Sequence, residues 1–188
     1  MRTETEHTIF LKDYAPSPYK VDKVELDVKI GPVTSRVRAL LTITPRPGTA
    51  PGTPLVLDGD DLKLDSIAVD GLPLPLTAYE VDTTALTIEE PPARTFALET
   101  EVTLEPERNI KLMGFYRSGG TWCTQCEPEG FRRITYYLDR PDVLAPFKVT
   151  MSADREVTAT FANHQLTVKK TGNGGGKVTS SPAGIDCG

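Results

Sequence analysis

Histidine is scarce in this chain. Of its 188 residues only two are His, His7 and His164, and most of the sequence separates them. No HExxH is present, so no pair of imidazoles one helical turn apart, with a glutamate between them, can build a zinc site of that kind. Three cysteines are too few for a disulfide framework. No apolar run approaches the roughly 20 residues of a membrane-crossing helix. Basic residues are not in excess: 21 Lys and Arg stand against 26 Asp and Glu, a formal net charge of -5. Nucleic acid and anionic membrane surfaces both require a basic face, so neither is an expected partner. A G-x-S-x-G elbow and a G-x-G-x-x-G fingerprint are also missing. The run GNGGGK at 172–177 resembles a phosphate loop only superficially, lacking the spacing and a helix to follow it.

What the chain has is punctuation. Sixteen prolines and 15 glycines break it into short apolar runs, the pattern of strands joined by turns. Val24, Leu26, Val28 and Ile30 alternate with polar residues, and the alternation resumes at Val33, Val37, Ala39, Leu41 and Ile43, as in half-buried strands. Between them, Gly31-Pro32 reads as a two-residue hairpin link with glycine at a positive-φ position. Further strands are predicted at 55–57, 62–69, 84–90, 96–104, 131–138, 148–151, 157–161 and 166–168, with Asp70-Gly71 as a turn signal. No convincing amphipathic helix is found. The fold class is all-β, an antiparallel twisted sheet or sandwich-like domain. Two units are expected, residues 1–150 and 151–188. The second is Gly/Ser-rich and expected to be mobile from 171 unless it adds a strand to something. The charged start, MRTETEHTIF, lacks a secretion-signal core, which predicts a cytoplasmic location.

The densest segment is GFYRSGGTWCTQCEPEGFRRITYYLDRPDVLAPF, residues 114–147. Here the chain resembles the N-terminal β domain of the bacterial aminopeptidase N-type zinc metallopeptidases. The shared runs are Tyr-x-Ser-Gly at 116–119, Cys-Thr-Gln-Cys-Glu at 123–127, Glu-Gly-Phe-Arg at 129–132, Ile-Thr-Tyr at 134–136 and Leu-Asp-Arg-Pro-Asp-Val-Leu at 138–144. The resemblance spans roughly residues 9–150. It implies that Glu127 binds the free α-amino group of a peptide substrate and that Gln125 lines the pocket for the first side chain. It also implies that the catalytic HExxH domain and its zinc lie outside this chain. The chain is then expected to be a truncated N-terminal domain, with no catalytic residue, metal ligand or cofactor of its own and inactive alone. It would meet peptide N-termini only together with a catalytic domain.

Without the resemblance, Glu127 is one acid among many and most simply a solvated loop residue. Cys123 and Cys126 form a C-x-x-C, which suggests metal or redox chemistry. A second close ligand pair is absent, however, and Cys187, His7 and His164 are distant. Trp122, Phe115, Tyr136 and Tyr137 read as core or cleft wall, and His164 as an exposed turn residue. After about Val149 the sequence resembles Gly/Thr-rich β repeats of bacterial surface proteins. This motivates the alternative of a stand-alone β binding or structural module, displayed at a cell surface.

Overall fold

A computed structural model describes residues 10, 12, 14–152, 157–158, 166–170, 178–179 and 186–187. His7 and His164 lie outside them, as does most of the stretch from 171 onward.

Among the described residues fifteen strands run in chain order: β1 (Tyr19–Ile30), β2 (Ser35–Pro45), β3 (Leu55–Asp58), β4 (Lys63–Val69), β5 (Leu72–Pro73), β6 (Tyr79–Val81), β7 (Ala85–Ile88), β8 (Phe96–Leu104), β9 (Gly114–Ser118), β10 (Thr121–Gln125), β11 (Phe147–Ser152), β12 (Val157–Thr158), β13 (Leu166–Lys170), β14 (Val178–Thr179) and β15 (Asp186–Cys187). Short 3₁₀ turns occupy Pro106–Arg108 and Phe131–Arg133. The all-β expectation holds. The main sheet has seven strands in the order β13-β11-β1-β2-β8-β4-β5. A smaller sheet is ordered β3-β7-β6, and β9 and β10 form a hairpin. In the main sheet pairing is antiparallel except at one edge, where β11 lies parallel to β1 and β13 parallel to β11. The chain crosses residue 150 inside β11. Further on, β14 pairs with β12 and β15.

Alternation builds the core. Val37, Ala39, Leu41 and Ile43 of β2 are fully covered, as are Leu98 and Val102 of β8. Each such Val, Leu or Ile side chain contributes roughly 1.5–3 kcal/mol by leaving water. Val21 and Val24 are three residues apart, yet both are buried. A bulge between Val21 and Lys23 absorbs the extra residue and restores the phase. Leu55, Leu57, Leu86 and Ile88 of the small sheet join the same apolar cluster, so the two sheets share one core. The opposite face of the main sheet carries cross-strand ion pairs, among them Arg38–Glu99 and Arg36–Glu101.

Two turns test the reading of the loops. At Asp70-Gly71 both residues have positive φ, 50° and 79°. They link Val69 and Leu72 as a two-residue hairpin, as that pair predicts. The link after Ile30 differs. Ile30 pairs with Ser35, so the loop has four residues, and Gly31 does not have a positive φ. Gly31 is needed for space instead: a Cβ there would run into the Thr34 carbonyl oxygen.

The predicted strand at 131–138 is also corrected. Phe131–Arg133 is a 3₁₀ turn, and only Tyr137 makes a bridge, to Asp58. Residues 133–139 are buried without a break. A strand with one wet face would alternate, and here ion pairs and side-chain hydrogen bonds replace the ladder.

Candidate functional site

The hairpin β9–β10 turns at Gly119-Gly120, whose φ values of 55° and 86° suit a two-residue link. The dipeptide is a hairpin signal that the sequence reading passed over. Trp122 anchors the hairpin. It is buried, its ring centroid lies 5.6 Å from that of Phe115, and the Arg117 guanidinium carbon stands 5.0 Å from it. Arg117 also pairs with Glu107, the middle residue of the Pro106–Arg108 turn.

Gln125 ends β10 opposite Gly114. Cys126 packs against the core. Glu127 follows on the exposed loop. The structure therefore brings Gln125 and Glu127 to one end of the hairpin, with both side chains exposed. Neither is reached by a side-chain hydrogen bond or ion pair among the described residues.

The residues that follow Glu127 enter a network of charge. Arg132 Nε sits 2.7 Å from Asp139 Oδ2, and its Nη2 sits 2.6 Å from Glu129 Oε2. Arg133 is buried and reaches Asp60 and Asp61, each at 2.6 Å. Lys111 Nζ stands 2.9 Å from Asp60. Burial pushes the Asp60 carboxyl upward, but hydrogen bonds and charge from Lys111 and Arg133 outweigh it and leave it below its ordinary value. A cavity of about 470 Å³ adjoins Arg133, lined among others by Asp61, Lys63, Glu105, Arg108 and Asn109. Neither Gln125 nor Glu127 lines it.

The C-x-x-C does not fit metal or thiol chemistry. Cys123 and Cys126 are both free thiols. Burial, reinforced by the Asp139 charge, pushes the Cys126 thiol up to about 12. A thiolate is the reactive and ligating form, and at neutral pH Cys126 is protonated. Among the described residues no group of three or more His, Cys, Asp or Glu is arranged to hold a metal ion.

A seven-stranded sheet sharing its core with a three-stranded one, and a hairpin anchored by a buried tryptophan, define an all-β domain. Residues 15–180 match the family described as the peptidase M1 N-terminal domain, and the chain belongs to it. Aminopeptidase N of Caulobacter vibrioides is 46% identical over 163 residues, covering 87% of this chain and 18% of that protein. Aminopeptidase N of Escherichia coli is 39% identical over 153 residues, 81% of this chain and 17% of that protein. Among solved structures, Legionella pneumophila aminopeptidase A in complex with aspartic acid superposes with a TM-score of 0.70 at 32% identity, over 77% of this chain and 17% of that one. A Deinococcus radiodurans M1 zinc metallopeptidase shares the fold with a TM-score of 0.59 at 20% identity, over 71% of this chain and 32% of that one. The chain thus spans less than a fifth of the length of the curated relatives named here.

Proposed function

We propose that this domain works as the amine-recognition part of a zinc aminopeptidase whose cutting machinery lies outside these residues. Glu127 accepts hydrogen bonds from the protonated α-amino group of a peptide, and Gln125 borders the first side chain. The observation that carries the reading is the exposed Glu127 carboxylate, unpartnered among the described residues, at the end of a hairpin anchored by buried Trp122 and Phe115. A carboxylate bonded to an ammonium group in a partly dry cleft is worth about 1.5–3 kcal/mol. Family membership supports the assignment, since the matched relatives are named aminopeptidases.

Zinc enters at the level of the family. The described residues do not fit it: they offer no donor cluster, and Cys126 is held protonated. No step is therefore assigned to a metal in this chain. The division near residue 150 belongs to the same reading and rests on the change of composition after Val149.

The test has two parts. Incubated with zinc and an aminoacyl chromogenic substrate, the 188-residue chain is expected to give no turnover, and zinc-dependent product release would overturn the division of labour. In a longer family member with the same Cys-Thr-Gln-Cys-Glu run, alanine at the position of Glu127 should raise KM and lower kcat/KM by about tenfold to a hundredfold. Kinetics close to wild type would remove the role.

A further inference from the structure

The loop bearing Glu127 is gripped by one buried carboxylate. Asp139 is 5% exposed. Its Oδ2 accepts hydrogen bonds from the Gly130 N–H at 2.9 Å, the Arg132 N–H at 3.1 Å and Arg132 Nε at 2.7 Å. Arg132 Nη2 donates to the Asp139 carbonyl oxygen at 2.9 Å. Asp139 is itself anchored, because its N–H donates to Asp58 Oδ2 at 3.0 Å. Asp58 and Tyr137 exchange backbone hydrogen bonds of 2.7 and 3.1 Å. The grip thus runs from the end of β3 through Asp139 to Gly130, three residues beyond Glu127.

The other side of Gly130 is closed. Its φ is 149°, and a Cβ there would come within 2.7 Å of Met113 Cγ and 2.9 Å of the Gln125 carbonyl oxygen. The loop is therefore held between the end of β10 and a carboxylate oxygen that three donors of Gly130 and Arg132 reach. Charge-assisted bonds of this kind are the strong ones, and removing the charge from a buried acceptor weakens all of them together.

We infer that Asp139 is a positioning residue for the amine-binding loop: its buried carboxylate sets where the Glu127 side chain stands, without touching substrate. The functional half of this inference rests on the reading of Glu127, and the loop-holding half does not.

The first test is Asp139→Asn in the full 188-residue chain, followed by amide hydrogen exchange. The Gly130 and Arg132 amides should exchange at least about tenfold faster, while those of β2 and β8 stay within about twofold. Equal acceleration throughout, or none at Gly130, overturns the grip. Should Asp139→Asn fail to fold, Arg132→Met removes the side-chain donors and leaves the backbone ones; the Gly130 amide should then stay within about threefold of its wild-type exchange, and acceleration of about tenfold or more there would assign the grip to Arg132 and overturn the role of Asp139.

The second test uses a longer family member with the same Leu-Asp-Arg-Pro-Asp run. The matching Asp→Asn change should raise KM about tenfold and leave kcat within about threefold. A core change matching Leu98→Ala should lower the melting temperature and leave KM alone. If the change at Glu127 raises KM and the change at Asp139 does not, positioning is overturned and the Glu127 reading stands. If the change at Glu127 has no effect, that reading falls together with the functional half of this inference. The exchange result then still decides what holds the loop.

Discussion

In β2 and β8 every second side chain is covered, and most of the covered ones are apolar. From Arg133 to Asp139 all seven residues are covered, and charged, hydroxyl and phenol groups are mixed among the apolar ones. The sheet is held by area removed from water, which tolerates modest changes in shape. The loop segment is held by pairs of specific atoms, and a buried polar group left without its partner costs more than the pair contributes. The two regions should therefore fail differently, the sheet as a whole and the loop locally and in response to pH.

The largest effect should come from the sheet. Leu98→Ala empties a fully covered position shared by the main strands and should cost about 3 kcal/mol of stability in urea unfolding. A loss below about 1 kcal/mol would mean that the core closes over the gap, and the contrast between regions would shrink.

Next comes Arg133→Ala, which leaves Asp60 without its buried partner. We expect about 2 kcal/mol, less than a fully enclosed pair would cost, because Asp61 is largely exposed. The pH response sharpens the point. The folded-state value of Asp60 lies below its ordinary one. Its contribution is therefore complete above the unfolded value of about 3.9 and is lost as pH falls through the lowered folded value. Stability measured across that window should fall less steeply in Arg133→Ala than in the wild-type chain. Identical slopes would assign the acid response to other carboxylates.

The smallest effect should come from the wet face of the sheet. Glu99→Gln removes one member of the Arg38–Glu99 pair, whose side chains are 57% and 30% exposed, and should change stability by no more than about 0.5 kcal/mol. A larger change would show that this ladder is a structural network rather than a solvated surface.

The same contrast explains what could be read from residue order. Period-two patterning states which face of a strand is covered, and Val24, Leu26, Val28 and the β2 residues follow it. The turn at Asp70-Gly71 was legible because both positions need positive φ. FRRITYYL misled because its aromatic and β-branched content favours a strand, whereas the ion-pair partners of buried Arg133, Asp60 and Asp61, lie more than 70 positions away. Pairings at that distance leave no local periodicity. Glu127 and Gln125 were singled out by resemblance alone, since an exposed acid beside a proline has no physical signature of its own. Asp139 stayed hidden because nothing in its neighbours announces that a carboxylate will be buried there.

The parallel pairing of β1 with β11 bears on the order of assembly. Val24 lies beside Phe147, with Val24 N–H bonded to the Pro146 carbonyl oxygen. During synthesis β1 can zip onto β2 almost at once, but its other edge waits for a partner made more than a hundred residues later. Until β11 emerges, that edge is a row of open donors and acceptors on a growing chain, the state in which a neighbouring nascent copy or a chaperone would find it. Pulse-labelled exchange on refolding should show the β1 amides that face β11 gaining protection last, and early protection there would reverse this order.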